Sequence, residues 1–345
     1  NRMIDQAAEK YTKRLYTQKE GGAAPTLVSA EDENVQSRFV AEKIVDLRSQ
    51  GVPLSDIAVL FRASFHSFDL EIELGREGLP FIKVGGFKFM EAAHIKDVLA
   101  HLKVIEAPQD RLSWYRMLLL LERVGPKTAQ RMYEAIMAAR AGVNGILSMA
   151  YKGKRPPGLQ NLQDLYARID THPGTVSTVG QMVVDYYQPI LRERFDDYPK
   201  REKDLDHLLG IMERYQDLTT FLADMALEPP NTTMDDSMAV DGSEEDADRL
   251  TLSTVHSAKG LEWHTVFVIW SLDGRFPSIH ALNKESELEE ELRLMYVAAT
   301  RARERLYFTY PQQIFDRSSG MLLSRPSRFI EPFCETHLEQ RHISW

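Results

Sequence analysis

Residues 249–270 read RLTLSTVHSAKGLEWHTVFVIW. The alternating stretch Leu250–Val255 and the apolar run Val266–Trp270 have the length and residue types of strands. Between them lies SAKG (257–260), a loop-like run with a lysine beside a glycine. Such a pair invites comparison with a phosphate-cradling loop. The pattern G-x-x-x-x-G-K-[ST] is not met, because the order is Lys-Gly and no upstream glycine stands at the right distance. The loop therefore needs another explanation.

Outward from this stretch, the same strand texture recurs. ERLYFTY (304–310) follows a helical stretch from about Glu285 to Arg303, where Leu288, Leu292, Met295 and Ala299 form one apolar stripe. Near the N-terminus, TLVSA (26–30), IAVLF (57–61) and PFIKVGG (80–86) read as strands, with helices predicted over 31–50, 67–77 and 91–107. IAVLF is continuously apolar, as in a parallel strand buried on both faces. From about 108 to 234 strand signals nearly vanish and helical periods dominate. The economical fold is an α/β domain with a parallel sheet, interrupted by an all-helical insert.

The 345 residues suit two or three domains, and the composition is that of a globular protein. No apolar run approaches a membrane span, and the polar N-terminus lacks a signal-peptide core. Cys334 is the only cysteine, so no internal disulfide and no cysteine metal cluster can form. A reducing compartment, most simply a cytoplasm, is expected. The net charge of −9 argues weakly against a nucleic-acid partner, but seven of those charges sit in 235–248, DDSMAVDGSEEDAD. That run reads as a solvated connector, and basic surfaces remain possible elsewhere.

Four stretches carry candidate chemistry. VLFRAS (59–64) puts Phe61 and Arg62 at the C-terminal end of a buried strand, where ligands bind in open α/β sheets. Phe61 could stack on a flat base and Arg62 could reach a phosphate; the plain alternative is a core ring and a surface arginine. TVHSAKGLEW (254–263) offers Thr254, His256 and Ser257 as donors and Glu262 as an acid for a ribose, or simply a strand-end turn. On the helix 289–303, Arg293, Tyr296, Thr300 and Arg301 share one side, and guanidiniums suit phosphate. There the alternative is a solvated face with pairs such as Glu289–Arg293. RVGPKTAQRMY (123–133) has Gly125, Pro126, Lys127 and Thr128 opening a helix. It is similar to a helix-hairpin-helix turn, which holds a nucleic-acid phosphate without reading sequence; a plain interhelical turn is the alternative.

The order and wording of these stretches resemble the C-terminal half of superfamily 1 DNA helicases of the UvrD/Rep/PcrA type. IAVLFRAS is similar to motif IV, TLSTVHSAKGLEWHTVFVIW to motif V and EEELRLMYVAATRARERLYF to motif VI. IKVGGFKFMEAAHIKDVLAHL, LDGRFPS (272–278) and SRFI (327–330) fit as well, so the likeness is collinear over nearly the whole chain.

The resemblance implies a RecA-like second motor domain in two parts, 25–108 and 249–311, with a helical insert at 109–234. It implies a preceding tail of the first motor domain at 1–24, the acidic connector at 235–248 and a C-terminal tail at 312–345. It implies a 3′→5′ translocase that hydrolyses ATP. No G-x-x-x-x-G-K-[ST] and no D-E-x-Q-D run occurs, so the Mg2+ ligands and the phosphate loop are expected on a first motor domain. By motif position, Phe61 should stack on adenine, Glu262 hold the ribose, and Arg62 and Arg301 together reach the γ-phosphate. Thr254 and His256 should meet single-stranded DNA, and Gly125, Lys127 and Thr128 duplex DNA. YVAATRARERLY also fits the helicase part of an AddA/RecB-like recombination nuclease. A non-catalytic DNA-binding or protein-docking module that kept the fold is a third reading.

Overall fold

The computed structural model describes residues 2–6, 22–84, 89–139, 142–149, 155–172, 174–226, 248–316 and 321–344. Most of the expected tail 1–24 and, Asp248 aside, the acidic connector lie outside the described residues. The chain divides into two units, Asn1–Phe87 with Glu228–Trp345, and Lys88–Leu227.

The first unit is the α/β one. Its first part runs β1 (Thr26–Ala30), α1 (Glu33–Ser49), β2 (Ile57–Phe61), α2 (Phe68–Arg76) and β3 (Phe81–Val84). The second unit carries α3 (Ala93–Glu106), α4 (Arg111–Leu118), α5 (Pro126–Ala138), α6 (Gly145–Ser148), α7 (Leu159–Thr171), α8 (Val176–Arg194), α9 (Tyr198–Met212) and α10 (Leu218–Met225). The first unit resumes with β4 (Leu250–Thr254), β5 (Trp263–Val268), α11 (Glu285–Ala299), β6 (Ala302–Pro311), β7 (Ile314–Asp316), β8 (Met321–Leu323) and β9 (Glu339–Ile343).

Seven strands form one sheet in the order β3-β4-β2-β5-β6-β1-β9, and every pairing in it is parallel. Apolar runs are what such a sheet requires, because both faces are covered. The alternation along β2 shows how. Ile57, Val59 and Phe61 pack with Ile44 and Leu47 of α1 and Leu70 and Leu74 of α2. Ala58 and Leu60 turn the other way, into a cluster with Leu292, Met295 and Ala298 of α11. Thus α1 and α2 cover one face and α11 the other. The 312–345 segment was expected only as a tail; instead its β9 adds an edge strand beside β1. Its residues EQRHI are nearly all exposed, so no apolar pattern announces the strand.

Among its described residues the second unit is helical throughout, as expected, but it begins earlier than 109. Helix α3 packs against α4, α8, α9 and α10. The reason lies in its sequence: it is buried on several sides, through Ile95, Val98, Leu99, Leu102 and Val104. Its buried polar groups pair inside the unit. Asp97 accepts from Arg116 Nε at 2.6 Å and Tyr187 Oη at 2.6 Å. His101 Nδ1 donates to the Asp97 carbonyl at 2.7 Å, and its Nε2 finds no hydrogen-bond partner among the described residues.

Burial pushes His101 from its ordinary 6.5 down to about 4. A proton on Nε2 would be a buried, unpaired donor. The folded value lies below the unfolded one, so the unfolded chain binds the proton first as pH falls. The stability of this unit is expected to be full above pH 6.5, to decline toward about pH 4, and to level off below. Thermal melts across that range check it; His101→Phe should flatten the decline.

Candidate functional site

The loop after β4 is anchored and exposed by turns. Val255 N–H donates to the Phe61 carbonyl at 3.1 Å, extending the ladder by one residue. Val255 and Ala258 are fully buried, while His256, Lys259, Gly260, Leu261 and Glu262 are exposed. The Thr254 hydroxyl donates to Ser257 Oγ at 3.0 Å, and the Thr254 carbonyl accepts from the Ser257 and Ala258 amides. Thr254 therefore shapes the loop through its own turn. Gly260 has φ +87° with open space where a Cβ would stand. Gly260→Ala is expected to cost about 1 kcal/mol through backbone strain alone. A melting curve that matches the parent would show that the loop tolerates another conformation there.

At the C-terminal edge of the sheet, this loop meets Arg62 and α11. Arg62 Nε donates to Glu291 Oε1 at 2.8 Å; the Arg62 side chain is 30% exposed and that of Glu291 only 4%. Glu291 Oε2 has no hydrogen-bond partner among the described residues. Burial, then the Arg62 and Lys259 charges, push the His256 imidazole below its ordinary value, and Glu290 and Glu291 pull it back. Arg62, His256, Lys259, Glu290 and Glu291 thus share one electrostatic neighbourhood.

The opposite edge holds Arg301 and Glu262. Arg301 follows α11, and its guanidinium donates to three groups. Nε reaches the Val297 carbonyl at 3.1 Å, Nη1 the Leu261 carbonyl at 2.9 Å, and Nη2 the Thr300 hydroxyl at 3.1 Å. The Trp263 amide donates back to the Arg301 carbonyl at 3.0 Å. These bonds tie Arg301 to the residues on either side of Glu262.

The register keeps the two arginines apart. Leu60 is level with Val268, and Val268 with Phe308. Arg62 lies just beyond that level, whereas Arg301 precedes Ala302, the first residue of β6. The span from Ala302 to Phe308 is roughly 20 Å at about 3.3 Å per residue. Arg62 and Arg301 were expected to meet at one phosphate; here each is held at its own edge by its own partners. Phe61, expected to stack on adenine, is fully buried on the α1/α2 face, with Lys83 Nζ 5.7 Å from its ring centre. Stacking would require the ring to leave that core.

Two further expectations change on α11. Arg293 pairs with Glu289 at 3.3 Å and Glu290 at 3.7 Å, whereas Arg301 is bonded to Val297, Leu261 and Thr300. The buried face is centred on Glu291, Leu292, Leu294, Met295 and Ala298, with Leu288 and Ala299 only partly buried. Glu291 was given no role from the sequence. A carboxylate three residues after Leu288, within the apolar stripe, is the signal that could have marked it.

In the helical unit, α4 packs on α5 across a turn held down by buried Leu120, Leu121 and Val124. Gly125 was expected to supply a tight glycine turn. Its backbone is ordinary, φ −96° and ψ 176°, and the left-handed residue is Arg123 at φ 65°. Gly125 instead caps α5, with its carbonyl accepting from the Thr128 and Ala129 amides, both at 2.9 Å. Gly125 and Lys127 are exposed and Thr128 half-buried. The tip therefore presents a helix N-terminus flanked by Arg123, Lys127 and Arg131.

Among the described residues no helix is long and apolar enough to cross a membrane. No group of three His, Cys, Asp or Glu side chains there could hold a metal ion.

The model of the UvrD-like helicase C-terminal domain matches residues 1–144 and 158–313. The ATP-dependent DNA helicase PcrA of Bacillus subtilis is 29% identical over 363 residues, which covers 98% of this chain and 48% of that protein. The ATP-dependent DNA helicase UvrD1 of Mycobacterium tuberculosis is 31% identical over 377 residues, covering 100% of this chain and 47% of its own length. The chain spans about half the length of the curated relatives it matches. With a parallel α/β unit that fits a RecA-like second motor domain, and with a family match over most of its residues, the chain belongs to the UvrD-like helicase C-terminal domain family.

Proposed function

We propose that this chain is the second-motor-domain half of an ATP-dependent DNA helicase that moves 3′→5′ on single strands and opens duplex DNA in repair, replication or recombination. The observation that carries the reading is the collinear family match joined to a loop, 255–262, that runs from one sheet edge to the other. Glu262 and Arg301 form the nucleotide edge, with the carboxylate on the ribose and the guanidinium on the γ-phosphate. Thr254 and His256 form the DNA edge. One loop then touches both ligands, which is a physical route for coupling hydrolysis to movement.

Mg2+ acts with ATP in this reading, and its ligands are assigned to the first motor domain. That domain is the obligate partner. The 345 residues by themselves are expected to show no ATP turnover. Measurable DNA-stimulated hydrolysis from the pure chain would overturn the division of labour.

The α4–α5 tip, through Gly125, Lys127 and Thr128, is proposed to hold a duplex phosphate. Lys127→Ala should weaken duplex binding equally across sequences and reduce the salt slope, log K against log salt, by about 1. An unchanged slope would remove Lys127 from the interface.

A further inference from the structure

Ile269 and Trp270 follow β5. The Ile269 amide still donates to the Leu60 carbonyl at 3.1 Å, and the chain then turns away. Trp270 stands at φ 54°, in the left-handed region. A bulky side chain is rare there, whereas glycine would meet no strain. Such a backbone persists where the surrounding contacts over-determine it. Here the contacts are specific. The Trp270 amide donates to Gln36 Oε1 of α1 at 3.1 Å, and that oxygen also accepts from the Thr309 hydroxyl of β6 at 3.0 Å. The indole is buried against one residue of the loop after β2. It stacks on the His66 ring, 5.1 Å between centres and 15° apart, and its Nε1 donates to the His66 carbonyl at 3.0 Å. His66 belongs to the short turn that follows Arg62 and leads into α2, closed by its own amide on the Ala63 carbonyl at 3.1 Å. A second group holds the same turn from β3. Lys83 Nζ donates to the Ser64 carbonyl at 3.3 Å and pairs with Glu71 of α2 at 2.6 Å, both side chains being buried. Ser67 Oγ lies 2.8 Å from the Ser64 carbonyl and 2.7 Å from Glu71 Oε1.

We infer that Trp270 is a positioning residue for Arg62: together with the Lys83–Glu71 pair, its indole fixes the 63–67 turn and so the root from which the Arg62 guanidinium meets a nucleotide phosphate. The inference rests on the motif assignment of Arg62 to the nucleotide. Arg62 is partly exposed and gives Nε to Glu291, so its outer N–H groups remain for such a phosphate. A long side chain takes its direction from the backbone at its root. Where a reaction depends on orientation, a displacement of about 1 Å at that root is felt in the rate. Trp270 itself touches no substrate. It acts through His66 and the turn, and that task explains why a strained tryptophan stands where a glycine would fit.

The test measures ATP turnover by the whole protein, stimulated by a single-stranded oligodeoxythymidylate. Trp270→Gly removes the indole and relieves the backbone. It is expected to lower kcat by about tenfold or more, the scale of a misplaced reacting group, with KM for ATP changed little. Trp270→Phe keeps a ring on His66 and loses the Nε1 donor, so its kcat should fall between the two, and it serves if the glycine variant does not fold. In an Arg62→Ala background neither change should lower kcat further, because the group being positioned is gone. A tryptophan that only filled the core would cost the same in both backgrounds. Folded Trp270 variants with the parent kcat, or an equal loss with and without Arg62, would overturn the inference and leave Arg62 in its assigned place. If Arg62→Ala itself turns over ATP at the parent rate, the motif assignment fails, and the inference with it.

Discussion

Arg301→Ala in the whole protein is expected to lower ATP turnover by about 10³-fold or more while nucleotide still binds, the range found for arginines that stabilise a transferring phosphoryl group. The expectation rests on how the side chain is held. Three of the five guanidinium N–H groups are committed to Val297, Leu261 and Thr300, which leaves two for a phosphate. The fork is therefore oriented before nucleotide arrives, and little is spent on ordering it during the reaction. Arg301→Lys is expected to recover only part of the loss, because an ammonium cannot span the same acceptors. Single-turnover kinetics should place the defect in kcat, with nucleotide affinity changed by no more than a few-fold. Single-stranded DNA affinity should stay near the parent value, since Thr254 and His256 lie at the other edge. Turnover equal to the parent would remove Arg301 from the site.

Phe267→Ala should cost about 3–5 kcal/mol, the usual range for emptying a buried aromatic site. Phe267 is fully buried at the centre of β5, between β2 and β6. Its ring stacks on Tyr307 at 4.8 Å and 13°. Val59, Leu252, Ile269 and Tyr307 share its cluster, and residues fixed in parallel strands cannot collapse into the cavity. For a unit of this size the loss corresponds to roughly a 10 °C drop in Tm. Urea or thermal unfolding followed by far-ultraviolet circular dichroism would check it. A loss below about 1 kcal/mol would mean that the neighbouring side chains refill the space.

Much of this protein is legible in its sequence. IAVLF predicts a buried parallel strand, and β2 is buried at every position. The loss of strand texture after α3 predicts the helical unit. The motif wording predicts the family. Of the four groups expected at one nucleotide, Arg301 is bonded to the two residues that flank Glu262. These features depend on local period and composition, which a chain carries residue by residue.

The remaining features depend on register and on what lies across the sheet. Phe61 and Arg62 are neighbours in sequence, yet alternation in a strand sends one ring into the α1/α2 layer and the other side chain toward α11. Arg62 and Arg301 look like one phosphate clamp in motif order, yet the pairing of β2, β5 and β6 sets them roughly 20 Å apart along the strands. β9 has the exposed residues of a tail, and only the open edge of β1 makes it a strand. Glu291 is one acid among several in EEEL, and only the packing of α11 buries it beneath Arg62. The sequence by itself determined most of the elements, the family and most of the candidate groups, because periodicity and motif are local. Tertiary structure alone decided which groups face one another, because strand register and burial are set by contacts between residues far apart in the chain.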